Sequence, residues 1–312
     1  MATLRELKSR IGSVASSEKI TGAMKMISSA KMHKAEGALR RLKPYRQQVE
    51  TIISSMLSSD ATFSSPLLEE RSVKHLTLVV WGSDDGLCGA YNVNLAKRVA
   101  EELDVLNEKY PDASVRIVAV GTKIFKACRR VAGDRAEVVT APADITSKSE
   151  GEAVGSYVHE LTESFTTCET DRVEAMYMNY QSASRQRPER VTLLPIDQSN
   201  FSVDGLRKDV PYIIEPDAET VVRRGLPMYL HSVVEDIFTE NRASEQAARV
   251  AFPSETFFSA SANFPAGAKD TKSGNVDNNT AHSVKSGLYH SISTNAPIKL
   301  TAISTTVRII SR

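Results

Sequence analysis

Apolar residues recur three and four positions apart over Leu4–Leu57: Leu4, Leu7, Ile11 and Val14, then Ile20, Met24 and Ile27, then Leu39, Leu42, Tyr45, Val49, Ile52 and Met56. That spacing places them on one stripe of an α-helix. Thr3 and Glu6 stand three apart at its start, the spacing of a capping box. A single helix of this extent is roughly 80 Å long at about 1.5 Å per residue, so the pattern predicts a protruding helix that needs a partner along its stripe. Gly12, Gly22, Gly37 and Pro44 weaken the helix, and the heptad phase slips near Glu18. Two or three shorter core helices are the plainer alternative.

After the helix (residues 1–58), a Ser-rich stretch with Pro66 reads as a linker over 59–71. Between 72 and 212 the period changes. Short β-rich runs at His75–Trp81, 115–120, 136–140, 172–180 and 189–196 alternate with helical stretches at 93–107, 123–131 and 152–165. Such alternation predicts an α/β domain, a Rossmann-like and mainly parallel sheet covered on both faces. The last two runs, joined by Ser-Ala-Ser-Arg-Gln-Arg-Pro, are expected to form an antiparallel hairpin at the sheet edge. Helical period returns at 213–252, where Val221, Leu226, Tyr229, Leu230, Val233, Val234, Ile237 and Phe238 form an apolar face entered through Pro216 and Asp217. Glu245 and Arg249 are four apart, a supportive ion-pair spacing. Gly225 and Pro227 stand near the start as breakers, and packing on the sheet is the plainer reading of this helix.

Composition changes the picture little. The 312 residues allow one large or two modest domains, and the net charge of +1 gives no general reason to expect nucleic acid. Residues 1–60 nevertheless carry eleven Lys/Arg against five Asp/Glu, so the first helix is basic and suits acidic partner surfaces as well as solvent. No run of about 18 apolar residues exists to span a membrane. A signal-peptide core is absent, and Glu6 and Glu18 are foreign to a transit peptide, which leaves a bacterial cytoplasmic setting as the simplest expectation. Cys88, Cys128 and Cys168 are scattered and read as reduced, partly buried residues; the six histidines show no metal-ligand spacing. The turn Gly-Ser-Asp-Asp-Gly-Leu-Cys-Gly at 82–89 follows a strand and precedes a helix, as phosphate cradles do. It is neither a P-loop nor GxGxxG, so a Rossmann-like nucleotide-binding enzyme stays open only as an alternative. No triad, metal cluster or cofactor site is evident.

Three ordered stretches carry a resemblance. SEKITGAMKMISSAKMHKA at 17–35, WGSDDGLCGAYN at 81–92 and ASEQAARV at 243–250 resemble the gamma subunit family of ATP synthase, the central rotor stalk, over residues 1–250. The resemblance implies a non-catalytic subunit with no cofactor. Its two long helices would pair as an antiparallel coiled coil on the α/β foot. The implied partners are the alpha and beta subunits of the catalytic ring, the epsilon subunit and the membrane c-ring, at the cytoplasmic face of a bacterial plasma membrane. Proton flow would turn the ring and the stalk with it, forcing the catalytic sites through different affinities. The implied rotor interface is Lys19, Ile20, Met24, Lys25, Met26, Glu245, Gln246 and Arg249, and the family turn is Gly86, Leu87, Cys88 and Gly89. The paired regulatory cysteines of plant-type members are not visible. Pairing helices of equal length from Leu57 and Asp217 sets Ala247 opposite Met24, with Lys19 and Lys25 near Glu245 and with Ile20, Met24 and Ile27 against Ala243, Ala247 and Val250. Leu4, Leu7, Ile11 and Val14 are then left for water or another subunit.

Beyond Val250 the resemblance stops. Ser, Thr, Asn, Gly and Pro make up 28 of the last 62 residues. That composition disfavours helix, and Pro253 and Pro265 are expected to stop the second helix early. Residues 253–312 are expected to be irregular, with an isolated strand possible at 300–310. A change of reading frame near codon 250 would produce so abrupt a break; a divergent tail is the other reading. With a changed frame the chain would be a gamma product defective in assembly.

Overall fold

The structure, a computed structural model, describes residues 3–57, 65–201 and 217–262. Helix α1 (Leu4–Leu57) is continuous through its three glycines and Pro44. It starts as its sequence demands: the Glu6 N–H donates to Thr3 Oγ1 at 3.3 Å, satisfying one of the free first-turn donors, while the Glu6 carboxylate turns to Arg10. The foot follows as β1 (His75–Trp81), α2 (Tyr91–Lys109), β2 (Ser114–Val120), α3 (Thr122–Ala132), β3 (Glu137–Thr140), α4 (Glu152–Thr166), β4 (Arg172–Ser182) and β5 (Arg185–Leu194). Helix α5 (Ala218–Ala262) closes the described chain.

The strands form one sheet in the order β3-β2-β1-β4-β5. The first three neighbour pairs are parallel, and β4–β5 is the antiparallel edge hairpin. Its connection is tighter than the sequence suggests. Both strands run on to the pair Ser182–Arg185, leaving Ala183 and Ser184 as the turn, because the polar residues of this hairpin end face water and need no burial to join the ladder. The continuous apolar run of β1 is explained by burial on both sides. Leu76, Leu78 and Val80 pack under α2 and α3, while Val79 and Trp81 pack under α4 and α5. Trp81 is fully buried, with Tyr157 and Phe238 edge-on at 6.5 and 5.7 Å between ring centroids.

The second half of the linker belongs to the core. Leu67 is buried there and accepts from the Ile196 N–H at 2.8 Å, and Arg71 holds Asp171 at 3.1 Å. Asp217 caps α5 by accepting from the Thr220 N–H at 2.7 Å. Gly225 and Pro227 lie inside α5 and do not break it. Nor does Pro253 stop the helix, which continues to Ala262; the expected end at 252 is corrected by ten residues, so residues 254–262 are helical rather than irregular. One proline forfeits a single backbone bond, and the turns on either side keep their own. The strand and tail expected over 263–312 lie outside the described residues.

Cys88 and Cys128 are buried thiols. Cys168 is exposed at a left-handed backbone position (φ 63°), not partly buried as expected.

Candidate functional site

The two stretches that stand out at opposite ends of the foot sequence, 82–92 and 241–249, meet in space. The turn after β1 is rigid for local reasons. A Cβ on Gly82 would lie 2.3 Å from Ile124 Cβ, so only glycine lets α3 approach. The Asn92 side chain accepts from the Ser83 N–H at 3.2 Å and donates to Ser83 Oγ at 2.7 Å. Asp84 accepts from the Thr122 N–H at 3.1 Å and from the Ser147 N–H and Oγ at 2.9 and 2.8 Å. Burial pushes the Asp84 carboxyl up, but the Ser147 and Thr122 bonds outweigh it and the net direction is down. Lys148 lowers Asp85 through a 2.8 Å ion pair. Within the family turn, Gly86 is open to its surroundings, Leu87 (φ 63°) and Gly89 (φ 57°) are left-handed, and the Cys88 thiol is pushed up by burial.

Helix α5 sits on this turn. Asn241, with no exposed surface, donates from Nδ2 to the Gly82 carbonyl at 2.9 Å and accepts from the Tyr91 hydroxyl through Oδ1. Ser244 Oγ donates to the Met178 carbonyl at 2.8 Å. Arg249 pairs with Glu245 at 2.6 Å and reaches Asp85 at 3.8 Å. Arg242 pairs with Glu150. Burial pushes the Glu245 carboxyl up, and Arg249 opposes it. Arg249, Lys148 and Asn92 are thus engaged within the chain, and α5 packs on the turn beyond the carboxyl end of β1. The arrangement is a clamp between helix and sheet. Among the described residues no three of His, Cys, Asp and Glu gather as a metal site.

The expected interface residues are not brought together. Lys19, Ile20, Lys25 and Met26 are exposed on α1 and Met24 is half-buried, whereas Glu245 is buried and Gln246 and Arg249 half-buried at the clamp. The helices are antiparallel, but the register differs. Ala35 and Leu39 pack on Ala243, Arg46 pairs with Asp236 at 2.9 Å, and Ile53 meets Gly225. Carried up at equal rise, these contacts set Ala247 near Met32 and His33, about nine residues from Met24. Lys31 and Lys34, rather than Lys19 and Lys25, share a groove with Glu245 and Gln246. Equal lengths do not set the register because each helix is anchored to the sheet: α5 through Asn241 and Ser244, α1 through Glu36, which accepts from the Tyr180 hydroxyl. The inward line of α1 also differs in phase. It runs through Met24, Ser28, Met32, Ala35, Leu39, Leu42, Arg46, Val49 and Ile53, and leaves Ile20, Met26 and Ile27 outside, with Ile20 64% exposed.

Sequence reasoning passed over Asn241, Tyr91, Asp84 and Ser147. The one available signal was Asn241, an amide on the apolar face of a helix, which must find partners when buried.

A family model described as ATP synthase matches residues 3–252. The ATP synthase gamma chain of Bacteroides thetaiotaomicron is 35% identical over 259 residues, covering 80% of this chain and 86% of that one. The gamma chain of Bacteroides fragilis is 37% identical over 251 residues, covering 80% and 85%. Among solved structures, a chain of the Tetrahymena thermophila mitochondrial ATP synthase central stalk and c-ring has the same fold, with a TM-score of 0.52, 21% identity and coverage of 76% and 99%. Relatives this similar, matched over four-fifths of this chain and most of their own length, establish that the chain belongs to the ATP synthase gamma chain family.

Proposed function

We infer that this chain is the central shaft of a rotary, proton-translocating ATP synthase, a non-catalytic subunit that carries rotation between the membrane sector and the catalytic ring. The observation that carries the reading is the set of uncovered apolar side chains on α1. Leu4, Leu7, Ile11 and Val14 are 86, 54, 63 and 58% exposed on one stripe, and Ile20, Met26 and Ile27 are exposed on other faces of a helix otherwise rich in Lys and Arg. Covering such side chains is worth roughly 1.5–3 kcal/mol each, a strong drive toward a surrounding partner. The alpha and beta subunits are the proposed occupants of that surface, and the epsilon subunit and c-ring the proposed seats of the foot. Lys19, Lys25 and the exposed turn around Gly86 would face these partners, while Arg249, steadied by Glu245, acts from within by tying α5 to Asp85 of the foot. No helix of the described residues is long and apolar enough to cross a membrane, which suits a peripheral subunit bound at the cytoplasmic face of a bacterial plasma membrane.

Co-expression with the alpha, beta and epsilon subunits and the c-ring tests the reading. Co-purification is expected, with Leu7→Ser and Ile11→Ser weakening it without unfolding the foot. A folded chain that binds none of these subunits overturns it. The end of the family match at residue 252 favours a second reading, a product that folds its foot but assembles poorly. Its signature is a folded chain whose co-purification is weak and is restored when residues 253–312 are replaced by the C-terminal segment of a relative. Reading the coding DNA near codon 250 in all three frames tests its origin.

A further inference from the structure

The seam between α1 and α5 changes character midway. On α5 the inward positions Tyr229, Val233, Asp236, Glu240, Ala243 and Ala247 follow the steps of four and three that a coiled-coil seam requires. Two successive seam positions are therefore acids. Asp236 keeps only 3% of its surface, and its Oδ1 has no hydrogen-bond partner. Arg46 is the cation set against Asp236, at 2.9 Å, and it is shared with Glu50 at 3.2 Å. Glu240, one turn on, faces Asp236 on its own helix, Lys43 from α1, Glu189 from β5, and Tyr177 and Asn179 from β4. Asn179 Nδ2 donates to Glu240 Oε2 at 3.0 Å. Carboxyls thus outnumber cations by Glu50, Glu189, Asp236 and Glu240 against Lys43 and Arg46.

We propose that Glu240 is a proton-binding site at the joint of shaft and foot, and that the helix pair grips the foot more tightly when this carboxyl is protonated. Asn179 satisfies one oxygen, so a proton on the carboxyl removes the charge repelling Asp236 and Glu189 while keeping that bond. Burial, then Asp236 and Glu189, push the Glu240 carboxyl up to about 7, against the opposing pull of Lys43 and of the hydrogen bond with Tyr177. A carboxyl raised in the folded state stabilises that state fully below its unfolded value, near 4.5, and the contribution is lost as pH rises to about 7. The inference concerns the joint itself; its consequence for a turning shaft, a stiffer joint in a more acid compartment, rests on the family reading.

Hydrogen exchange of the full chain, corrected for intrinsic chemical rates, tests it without any other subunit, so failure here is separate from failure to assemble. Across residues 43–50 and 233–244 the opening constant is expected to rise up to about tenfold from pH 6 to pH 8. Glu240→Gln flattens that rise. Lys43→Gln, at an exposed position that leaves folding intact, moves its midpoint to higher pH. A flat profile in the unaltered chain, the same rise in Glu240→Gln, or an unmoved midpoint in Lys43→Gln overturns the proposal.

Discussion

Replacing Asn241 by alanine is the sharpest test of the clamp. Two buried polar groups lose their partner: the Gly82 carbonyl, which accepts at 2.9 Å, and the Tyr91 hydroxyl, which donates to Oδ1. A buried group left unpaired costs about 1–3 kcal/mol. The Tyr91 hydroxyl keeps a poorer acceptor in the Asn241 carbonyl at 3.3 Å, so about 3 kcal/mol in all is expected. Trp81 supplies the assay. It is the single tryptophan, and its ring lies edge-on to Phe238 of α5, so its fluorescence reports docking of the helix during urea unfolding of the full chain. Tyr91→Phe separates the hydroxyl from general disturbance. Alone it should cost about 1 kcal/mol, and in the Asn241→Ala background close to nothing, a coupling of about 1 kcal/mol. A loss below about 1 kcal/mol for Asn241→Ala, or strict additivity of the two changes, would refute the clamp.

Gly225→Ala should stabilise the chain by about 0.5–1 kcal/mol in thermal unfolding, since the new Cβ meets Ile53 Cγ1 at an ordinary 3.4 Å while the helix loses a flexible residue; destabilisation would mean the two helices are packed too closely to accept a methyl group. In a Cys168→Ser background, cysteines placed at Leu39 and Ala243 should crosslink under mild oxidation and the pair at Met24 and Ala247 should not, and the reverse result would restore the equal-length register. In the unaltered chain a thiol reagent should modify Cys168 at once and Cys128 only on unfolding, because Cys128 is buried and its thiol is pushed up to about 12; rapid labelling of Cys128 would show that α3 opens.

The parts legible in the sequence are those fixed by local period. The long helix, the alternating sheet with its antiparallel edge and the Asp217 cap all follow from spacing and turn chemistry within a few residues. The helix register did not, because it is set by single long-range bonds: Asn241 to Gly82 spans most of the foot, and Glu36 to Tyr180 joins two segments far apart in sequence. The phase of α1 misled for a related reason. Tyr45 and Ile52 look like seam residues by hydrophobicity, yet Arg46 and Ile53 face α5, since Asp236 supplies the guanidinium with a partner. Pro253 misled through too strict a rule, because a proline ends a helix only where nothing else holds the next turn.

The pairing of the first helix with the last has a consequence for synthesis. α1 emerges first, and its partner begins only at Ala218, about 160 residues later. At roughly 5–20 residues per second the ribosome takes about 10–30 s to deliver it. During that interval β1 to β5 can pair and α2, α3 and α4 can cover much of the sheet, whereas Trp81 and, on α1, Val49 and Ile53 have no α5 to pack on. The sheet is therefore the earlier folding unit, and α5 completes its second face while closing a long loop onto α1. Nascent α1 spends that time without its partner helix, its apolar stripe uncovered, which makes it the element among the described residues with the longest wait for its packing partner.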